Sequence, residues 1–295
     1  MATDATARIP EHIRRLLRDG MTGQVLLVTS SGVYLDFGEQ ILLLCDGRWG
    51  TVPIGLGLEN PEAALKALRP IQGQRVLAEE TCLIFPGGQL MLKPEPAFRE
   101  AALPEPDGNR IRQAALEIAG LRKEQGMSML VLPLVLGMDL PAGTNPWRDR
   151  GRSLLERLTD AICREDIPQI RFCTENLLGL GTGLTPSADD ILLGMLYVFR
   201  RFSRCQTGIQ ALRQSIGDLC GSKTNRISAA YLQAILEGAP FGAMEQVLLG
   251  LCGEIPLQTH RMTRIGSNSG AEMLLGMLLA LKLLGYRAAG TFEIA

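Results

Sequence analysis

The spacing of apolar residues changes near residue 100 of this 295-residue chain, and this change constrains the fold most strongly. From Gln24 to Lys93, short β-rich runs alternate with turn residues such as Asp46-Gly47 and Pro86-Gly87-Gly88, which are typical of hairpins. Beyond residue 100, Leu, Ile and Met recur every three or four residues, which is the period of an α-helix. We therefore predict an α+β fold, with a small N-terminal antiparallel β-rich domain over residues 1–100 and a mainly α-helical C-terminal domain over residues 101–295.

A proline-rich stretch separates the two patterns. Prolines at positions 94, 96, 104 and 106 lead into Asp107-Gly108-Asn109, and proline lacks the N–H donor that helices and sheets use. The apolar segment 127–137 fits either a buried strand or a helix, and a polar loop follows it towards residue 150. The helical period predicts seven helices, over residues 109–125, 151–165, 186–203, 208–220, 225–237, 241–252 and 269–285.

Charge and composition exclude several classes of protein. Thirty Lys and Arg against 31 Asp and Glu leave a net charge of −1, so no overall positive field exists to attract nucleic acid or an anionic membrane. His12 and His260 have no partner at ligand spacing, which argues against a zinc site and a Ser-His-Asp triad. The seven cysteines include no Cys-x-x-Cys pair, so we expect reduced, mostly buried thiols.

The hydropathy pattern predicts a soluble cytoplasmic protein. The first 20 residues have no apolar signal-peptide core. The longest late apolar run, Met273 to Leu284, is short for a membrane span and contains Lys282.

An internal repeat marks the most informative part of the helical region. Ser187–Leu196 aligns without gaps to Ser269–Leu278, with six of ten residues identical and an acidic residue fourth in both. A glycine-containing polar loop precedes each copy, at residues 179–186 and 266–268. The chain therefore uses the same arrangement twice, a polar loop that leads into an apolar helix.

Each copy carries signals for a helix start and for close packing. Ser187-x-x-Asp190 and Ser269-x-x-Glu272 fit capping boxes. Alternatively, Thr185 caps the first helix and Pro186 takes its first position, so that this helix begins at residues 186–188 in either case. Gly194 and Gly276 lie in mid-helix, where glycine costs on the order of 1 kcal/mol relative to alanine. We predict that the two helices cross near these glycines and that their loops meet at one end of the bundle.

The loops favour a ligand of mixed character. Unpaired amides at a glycine-rich helix start attract an anion, whereas Asp189, Asp190 and Glu272 in the same first turns repel one. A ligand with an anionic end and an amide end satisfies both groups, and so does a phosphate bridged by a metal. A purely architectural role for the capped helices is the competing interpretation.

A third segment, Lys223–Tyr231, lies between the repeats. Thr224 or Asn225 caps a predicted helix that carries Arg226 and Ser228 in its first turns. Arg226 is a candidate for contact with a ligand anion, and a solvated surface position is the alternative.

Three segments resemble, in the same order, the signatures of the AllH-like family. They are Gly179–Asp190, with the sequence GLGTGLTPSADD, then Ser228–Gly238, and Ile265–Gly276, which contains GSNSGAE. The resemblance covers about residues 170–285. The best-known member of this family is described as a subunit of oxamate carbamoyltransferase in allantoin utilisation. The chain departs from the family pattern at Thr182, where proline is typical, and at Ser267, where histidine is typical.

The resemblance implies a subunit that, with other subunits, converts oxalurate and phosphate into oxamate and carbamoyl phosphate. On this interpretation the amides near Gly181 and Gly183 stabilise negative charge. The expected catalytic residues are Ser187, Asp189 and Asp190, and the expected substrate-binding residues are Gly181, Gly183, Thr185, Arg226, Ser228, Asn268, Ser269 and Gly270.

Two alternatives remain at this point. The first is a non-catalytic small-acid-binding or scaffolding subunit, and the second is a metal- or phosphate-dependent enzyme that uses Asp189 and Asp190. No cofactor is evident from the sequence, although Mg²⁺ is compatible with the Asp pair. The expected partners are a small carboxylate or amide substrate, phosphate and other carbamoyltransferase subunits, with neither nucleic acid nor membrane.

Overall fold

The computed structural model describes residues 5–121, 126–141, 145–202 and 206–290. Its contacts divide the chain into two compact units. The first comprises Met1–Glu100 with Ala239–Ala243, and the second comprises Ala101–Gly238 with Met244–Ala295. Strands lie before residue 95 and most helices after residue 107, so the predicted α+β class is confirmed.

Eight strands of the first unit close into a barrel. The strands are Ala5–Ile9 (β1), Thr22–Thr29 (β2), Gly32–Asp36 (β3), Ile41–Asp46 (β4), Gly55–Leu58 (β5), Arg75–Ala78 (β6), Cys82–Phe85 (β7) and Gly88–Pro94 (β8). Their order around the barrel is β1-β5-β4-β3-β2-β6-β7-β8. The β1–β8 and β4–β5 pairs are parallel, so the prediction of an antiparallel domain is wrong for these two pairs.

The parallel β4–β5 pair has a local cause. Asp46-Gly47 does not form a hairpin, because the Asp46 carboxylate accepts from the Arg48 amide (2.9 Å) and starts a single 3-10 turn over Gly47–Trp49. The chain then returns to run beside β4 in the same direction. The predicted hairpin at Pro86-Gly87 is confirmed, with Phe85 paired to Gly88.

Barrel closure leaves each strand paired on both sides and encloses an aliphatic core. Two short helices also belong to this unit, Glu11–Arg14 (α1) and Pro61–Leu68 (α2), and α2 packs on β1 and β8. Neither these helices nor β1 was predicted. The fully buried core side chains include Leu35, Leu44, Leu56, Leu83 and Leu90.

Nine helices follow residue 107 within the described ranges. They are Gly108–Gly120 (α3), Pro146–Arg164 (α4), Ile167–Leu177 (α5), Ser187–Arg201 (α6), Thr207–Lys223 (α7), Arg226–Leu236 (α8), Gly242–Leu251 (α9), Thr259–Thr263 (α10) and Ser269–Leu283 (α11). Seven of them match the predicted segments, whereas α5 and α10 were not predicted. The predicted ends at 122–125 and 203 lie outside the described residues.

The ambiguous segment 127–137 is neither a strand nor an α-helix. It forms a 3-10 turn over Ser128–Leu130 and a π-helical turn over Leu132–Leu136. The segment is almost wholly buried, and the Leu134 carbonyl accepts from the Lys282 ammonium (2.7 Å) near the end of α11. Burial lowers the pKa of Lys282.

The predicted crossing of α6 and α11 is confirmed. A Cβ atom at Gly194 would overlap the carbonyl oxygen of Met273, and one at Gly276 would overlap the carbonyl oxygen of Ile191. Only glycine therefore allows the two backbones to approach this closely. Both helices are apolar on nearly all sides, and both are buried over most of their length.

The cysteines have the surroundings expected of reduced, mostly buried thiols. The six described cysteines are free and all but Cys163 are buried, while Cys205 lies outside the described residues. Burial raises the pKa of the Cys45 thiol to about 12, which keeps it protonated and unreactive. Within the described ranges, the structure contains no helix with the length and apolar character needed to cross a membrane.

Substitution of the crossing glycines tests the helix pair. We expect Gly194→Ala and Gly276→Ala each to lower the free energy of unfolding, because overpacking costs about 1–3 kcal/mol or more and outweighs a helix-propensity gain of about 1 kcal/mol. Gly217→Ala in α7 is the matched control, since its Cβ would meet the nearest atom at an ordinary 3.7 Å. Urea denaturation measures the free energy of unfolding of all three variants. Equal stabilisation by the three changes would contradict the close crossing of the two helices.

Candidate functional site

The loop before α6 is shaped by three glycines with positive φ angles, Gly179 (79°), Gly181 (125°) and Gly183 (104°). A Cβ atom at Gly181 would lie 2.5 Å from the Ser187 amide nitrogen, and one at Gly179 would lie 2.5 Å from the Lys223 carbonyl oxygen. The loop therefore folds tightly against the first residue of α6 and against the end of α7.

Asp189, in the first turn of α6, joins three parts of the chain. Its Oδ1 accepts from the Gly179 amide (2.8 Å), and its Oδ2 accepts from the hydroxyls of Ser228 (2.7 Å) and Thr224. The side chain is buried, and burial raises the pKa of Asp189 while the three donors oppose this rise. Asp189 thus links the glycine loop, the end of α7 and the start of α8.

Asp190 lies next to Asp189 but has different partners. The Thr185 hydroxyl donates to its Oδ2 (2.9 Å), and the Thr185 and Ser269 hydroxyl oxygens are themselves 2.9 Å apart. This contact joins the two repeated loops directly, so the prediction that they meet at one end of the bundle is confirmed. Burial raises the pKa of Asp190 well above its usual range, and the negative charge of Glu272 raises it further.

Glu272 occupies the position in α11 that corresponds to Asp190 in α6. It is 1% exposed, and its Oε1 accepts from the Met127 amide (2.8 Å). A Cβ atom at Gly126 would lie 2.4 Å from the Glu272 Oε1 atom and 3.0 Å from the Asn268 Nδ2 atom. The Gly126–Met127 backbone therefore packs directly over the start of α11.

The capping boxes predicted for the two repeats are wrong. Helix α6 begins at Ser187 after Pro186, and α11 begins at Ser269 after Asn268, without a side-chain bond from either capping position. Asp190 and Glu272 instead accept from Thr185 and from the Met127 amide. The predicted helix start within residues 186–188 is confirmed.

The start of α8 lies beside the same loop. Asn225 caps α8 by accepting from the amides of Ile227 and Ser228 (3.0 Å each), and its Nδ2 donates to the Leu184 carbonyl (2.8 Å). Ser228 is buried against Asp189, whereas Arg226 is exposed in the first turn. The N-termini of α6, α8 and α11 therefore converge around one glycine loop.

The tip of this loop presents unpaired backbone donors. Within the described part of the chain, the amides of Gly181, Thr182, Gly183 and Leu184 have no hydrogen-bond acceptor. Thr182, Gly183 and Leu184 are also exposed. Unpaired amides at the positive end of a helix form a suitable site for a carboxylate or phosphate oxygen.

The structure brings together most of the residues that the sequence indicated. Thr185, Ser187, Asp189, Asp190, Ser228 and Ser269 lie at the converging helix starts. Ser187 is buried at the start of α6, and Asn268 is partly exposed at the capping position of α11. Gly270 is buried, and its missing side chain leaves room for the Met262 carbonyl, so packing explains this glycine.

The sequence analysis missed three contributors to the site. The Met127 amide carries no side-chain signal, and Gly126 lies just before the ambiguous segment 127–137. Thr224 was considered only as a helix cap, yet its hydroxyl donates to Asp189. Among the described residues, no group of three or more His, Cys, Asp or Glu side chains is placed to hold a metal ion.

The fold and the site together define a two-unit α+β chain in which three helix N-termini enclose buried carboxylates. Residues 177–281 match the family model described as oxamate carbamoyltransferase subunit AllH, as the sequence resemblance indicated. This match runs from the last residue of α5 to near the end of α11, and it contains all three convergent helix starts. Neither the curated proteins nor the solved structures contain a match to the chain.

The three donors to Asp189 predict a large loss of stability when its carboxylate is removed. We expect Asp189→Ala to lower the free energy of unfolding by about 3 kcal/mol or more, because each buried donor left without an acceptor costs about 1–3 kcal/mol. Asp218→Ala is the control, since this acid forms a half-exposed ion pair with Arg171, and such pairs contribute about 0–1 kcal/mol. Urea denaturation distinguishes them, and similar losses would contradict the linking role.

The raised pKa of Asp190 predicts a dependence of stability on pH. Asp190 binds its proton more tightly in the folded than in the unfolded chain. Its stabilising contribution is therefore complete below the ordinary pKa of 3.8 and is lost as the pH rises through the raised value. We expect Asp190→Asn to reduce this loss, as measured by unfolding at a series of pH values. An unchanged pH profile would show that Asp190 titrates normally.

Proposed function

We propose that this chain is a subunit of a carbamoyltransferase that converts oxalurate and phosphate into oxamate and carbamoyl phosphate. The observation that carries the proposal is the convergence of the α6, α8 and α11 N-termini inside the region matched by the AllH family model. The family description supplies the reaction class, and the site chemistry supports a small ligand that has both a carboxylate and N–H groups.

The loop tip suits the anionic part of such a ligand. The amides of Gly181 and Gly183 lie in a loop with unpaired donors, and Arg226 adds a positive charge on the neighbouring helix start. Carboxylate or phosphate oxygens bound there gain both hydrogen bonds and the favourable field of the helix ends. We assign these groups to anion binding and to stabilisation of the charge that develops on the carbonyl oxygen.

The hydroxyls suit the N–H groups of the ligand better than the carboxylates do. Ser269 is partly exposed, whereas Asp189 and Asp190 are buried, and Asp189 already accepts from three donors. We therefore assign Asp189 to holding the loop, and we assign Thr185 and Ser269 to contacts near the ligand. Ser187 and Ser228, both buried, support the same arrangement from the first turns of α6 and α8.

The reaction requires orientation and a proton transfer rather than a nucleophilic side chain. A phosphate oxygen forms a bond to the carbamoyl carbon, the C–N bond to the oxamate nitrogen breaks, and the proton of the phosphate ends on that nitrogen. Fixed geometry and preorganised donors can supply most of the required rate enhancement.

A non-catalytic small-acid-binding subunit is the second candidate. It is favoured by the internal contacts of the carboxylates, since Asp189 and Glu272 accept from protein donors and all three acids are buried. In that case a partner subunit performs the chemistry, and this chain binds the same ligands without turnover.

An assay of carbamoyl phosphate formation from oxalurate and phosphate separates the two candidates. The full chain is tested alone, with the other subunits, and with those subunits in the presence of Ser269→Ala. A catalytic site predicts activity that is lost in the variant. A non-catalytic role predicts that the variant keeps full turnover.

A thermal-shift series with oxamate, oxalurate, phosphate, carbamoyl phosphate and Mg²⁺ measures binding independently, because a ligand that binds only the folded state raises its stability.

Arg226 provides a test of the anion-binding end. We expect Arg226→Ala to weaken oxamate binding about tenfold, since a hydrogen bond to a charged group contributes about 1.5–3 kcal/mol and solvent exposure reduces this value. Arg164→Ala, which removes an exposed arginine paired with Asp160 at the end of α4, is the control. Isothermal titration calorimetry gives both affinities, and equal values would remove Arg226 from the proposed site.

A further inference from the structure

We infer that Ser269, Thr185 and Asp190 form a proton relay, in which Ser269 exchanges a proton with the substrate and Asp190 stores it. This inference rests on the proposed function and assigns separate roles to the two adjacent aspartates. Asp189 positions the loop, and Asp190 acts through two hydroxyls rather than by contact with the substrate.

The direction of the relay follows from the number of protons. Each hydroxyl has one hydrogen, and the Thr185 hydrogen is donated to Asp190 Oδ2 (2.9 Å). The Ser269 hydroxyl lies 2.9 Å from that of Thr185 and also hydrogen-bonds to the Asp190 side chain, so its single hydrogen serves Thr185 or the carboxyl group. When Asp190 carries a proton, the same chain can run in the opposite direction and leave Ser269 with a hydrogen to give away.

The relay also connects the interior to the surface. Asp190 is 2% exposed, whereas Thr185 and Ser269 are both partly exposed. A ligand that lies against the loop can reach Ser269 without any movement of the buried carboxyl. The two hydroxyls belong to different repeats, so the path exists only where the two loops meet.

The surroundings of Asp190 favour its protonated form. The charged groups that act on it are Glu272 on α11 and Asp189 on its own helix, and both are negative when ionised. Asp189 accepts from three donors, which favours its ionised form and opposes the effect of burial. At Asp190, burial and the charges of Glu272 and Asp189 favour the protonated form, so the relay assigns the stored proton to this group.

The relay accounts for the proton balance of carbamoyl transfer. As the C–N bond breaks, Ser269 donates its hydrogen to the oxamate nitrogen, Thr185 donates to Ser269, and Asp190 donates to Thr185. The proton released by the attacking phosphate then returns along the same path to the Asp190 carboxylate. The bond to phosphate forms, the bond to nitrogen breaks, and the enzyme ends the cycle in its starting protonation state.

Two substitutions at Thr185 test the relay. Thr185→Val keeps the shape of the side chain but removes the hydroxyl, whereas Thr185→Ser keeps the hydroxyl. With the full chain and its partner subunits, we expect Thr185→Val to lower kcat about 100-fold or more with little change in KM, because positioned acid–base groups contribute about 10²–10⁴-fold. Thr185→Ser should restore most of the activity, and Thr207→Val, at the exposed start of α7, is the control.

A double variant and the pH profile separate a relay from a structural role. Thr185→Val combined with Asp190→Asn should be no slower than either single variant, because both changes interrupt one path. The decrease of kcat at high pH, which reflects ionisation of Asp190, should also disappear in Asp190→Asn. Multiplicative losses, or equal defects in Thr185→Val and Thr185→Ser, would overturn the relay.

An infrared measurement decides the relay independently of turnover. The wild-type chain at neutral pH should show the C=O band of a protonated carboxyl that is absent from Asp190→Asn. This band should persist in Thr185→Val but should titrate at higher pH, because the lost hydroxyl favours the ionised form. If wild-type protein with its partner subunits forms no product from oxalurate, the proposed function is wrong, and the infrared band still tests the protonation of Asp190. If the band is absent from wild-type protein, the relay fails even where turnover occurs.

Discussion

The close contact between α6 and α11 is the constraint on which the site depends. Gly194 and Gly276 each leave room for a backbone carbonyl of the other helix. Because the glycines occupy equivalent positions in the two repeats, the helices cross symmetrically and their N-terminal loops arrive side by side. The hydroxyls of Thr185 and Ser269 are 2.9 Å apart as a consequence. The repeat therefore matters for its geometry, since two copies of one loop-and-helix unit build a single polar site.

Three buried carboxylates are the second unusual feature of the site. Burial of a charged group costs about several kcal/mol unless hydrogen-bond donors compensate for the lost water. The compensation is uneven. Asp189 receives three donors from separate elements, Glu272 receives the Met127 amide, and Asp190 receives the Thr185 hydroxyl while it faces the charge of Glu272. The adjacent aspartates therefore differ in their surroundings, since Asp189 joins three elements by hydrogen bonds whereas burial and nearby negative charge raise the pKa of Asp190.

The sequence predicted the features that arise from local or repeated patterns. The mid-helix glycines indicated the crossing, and Asn225 indicated the start of α8, because close approach and capping leave residue-level signals. The capping boxes were wrong, since Asp190 and Glu272 found tertiary donors that a local motif does not reveal. The parallel strand pairs of the barrel were also missed, because pairing between distant segments leaves no mark on the alternation of a single strand. Met127 contributes a backbone amide, which no side-chain pattern identifies.

In the proposed site, the loop amides at Gly181–Leu184 and the starts of α8 and α11 bind one ligand together. Hydrogen exchange of the full chain with and without saturating oxamate and phosphate tests it most directly. These loop amides have no acceptor among the described residues, so they should exchange rapidly in the free protein and slowly in the complex. Slower exchange at residues 181–184, at the start of α8 and at the start of α11 is the predicted result. Binding that leaves the exchange of these three segments unchanged would contradict the account.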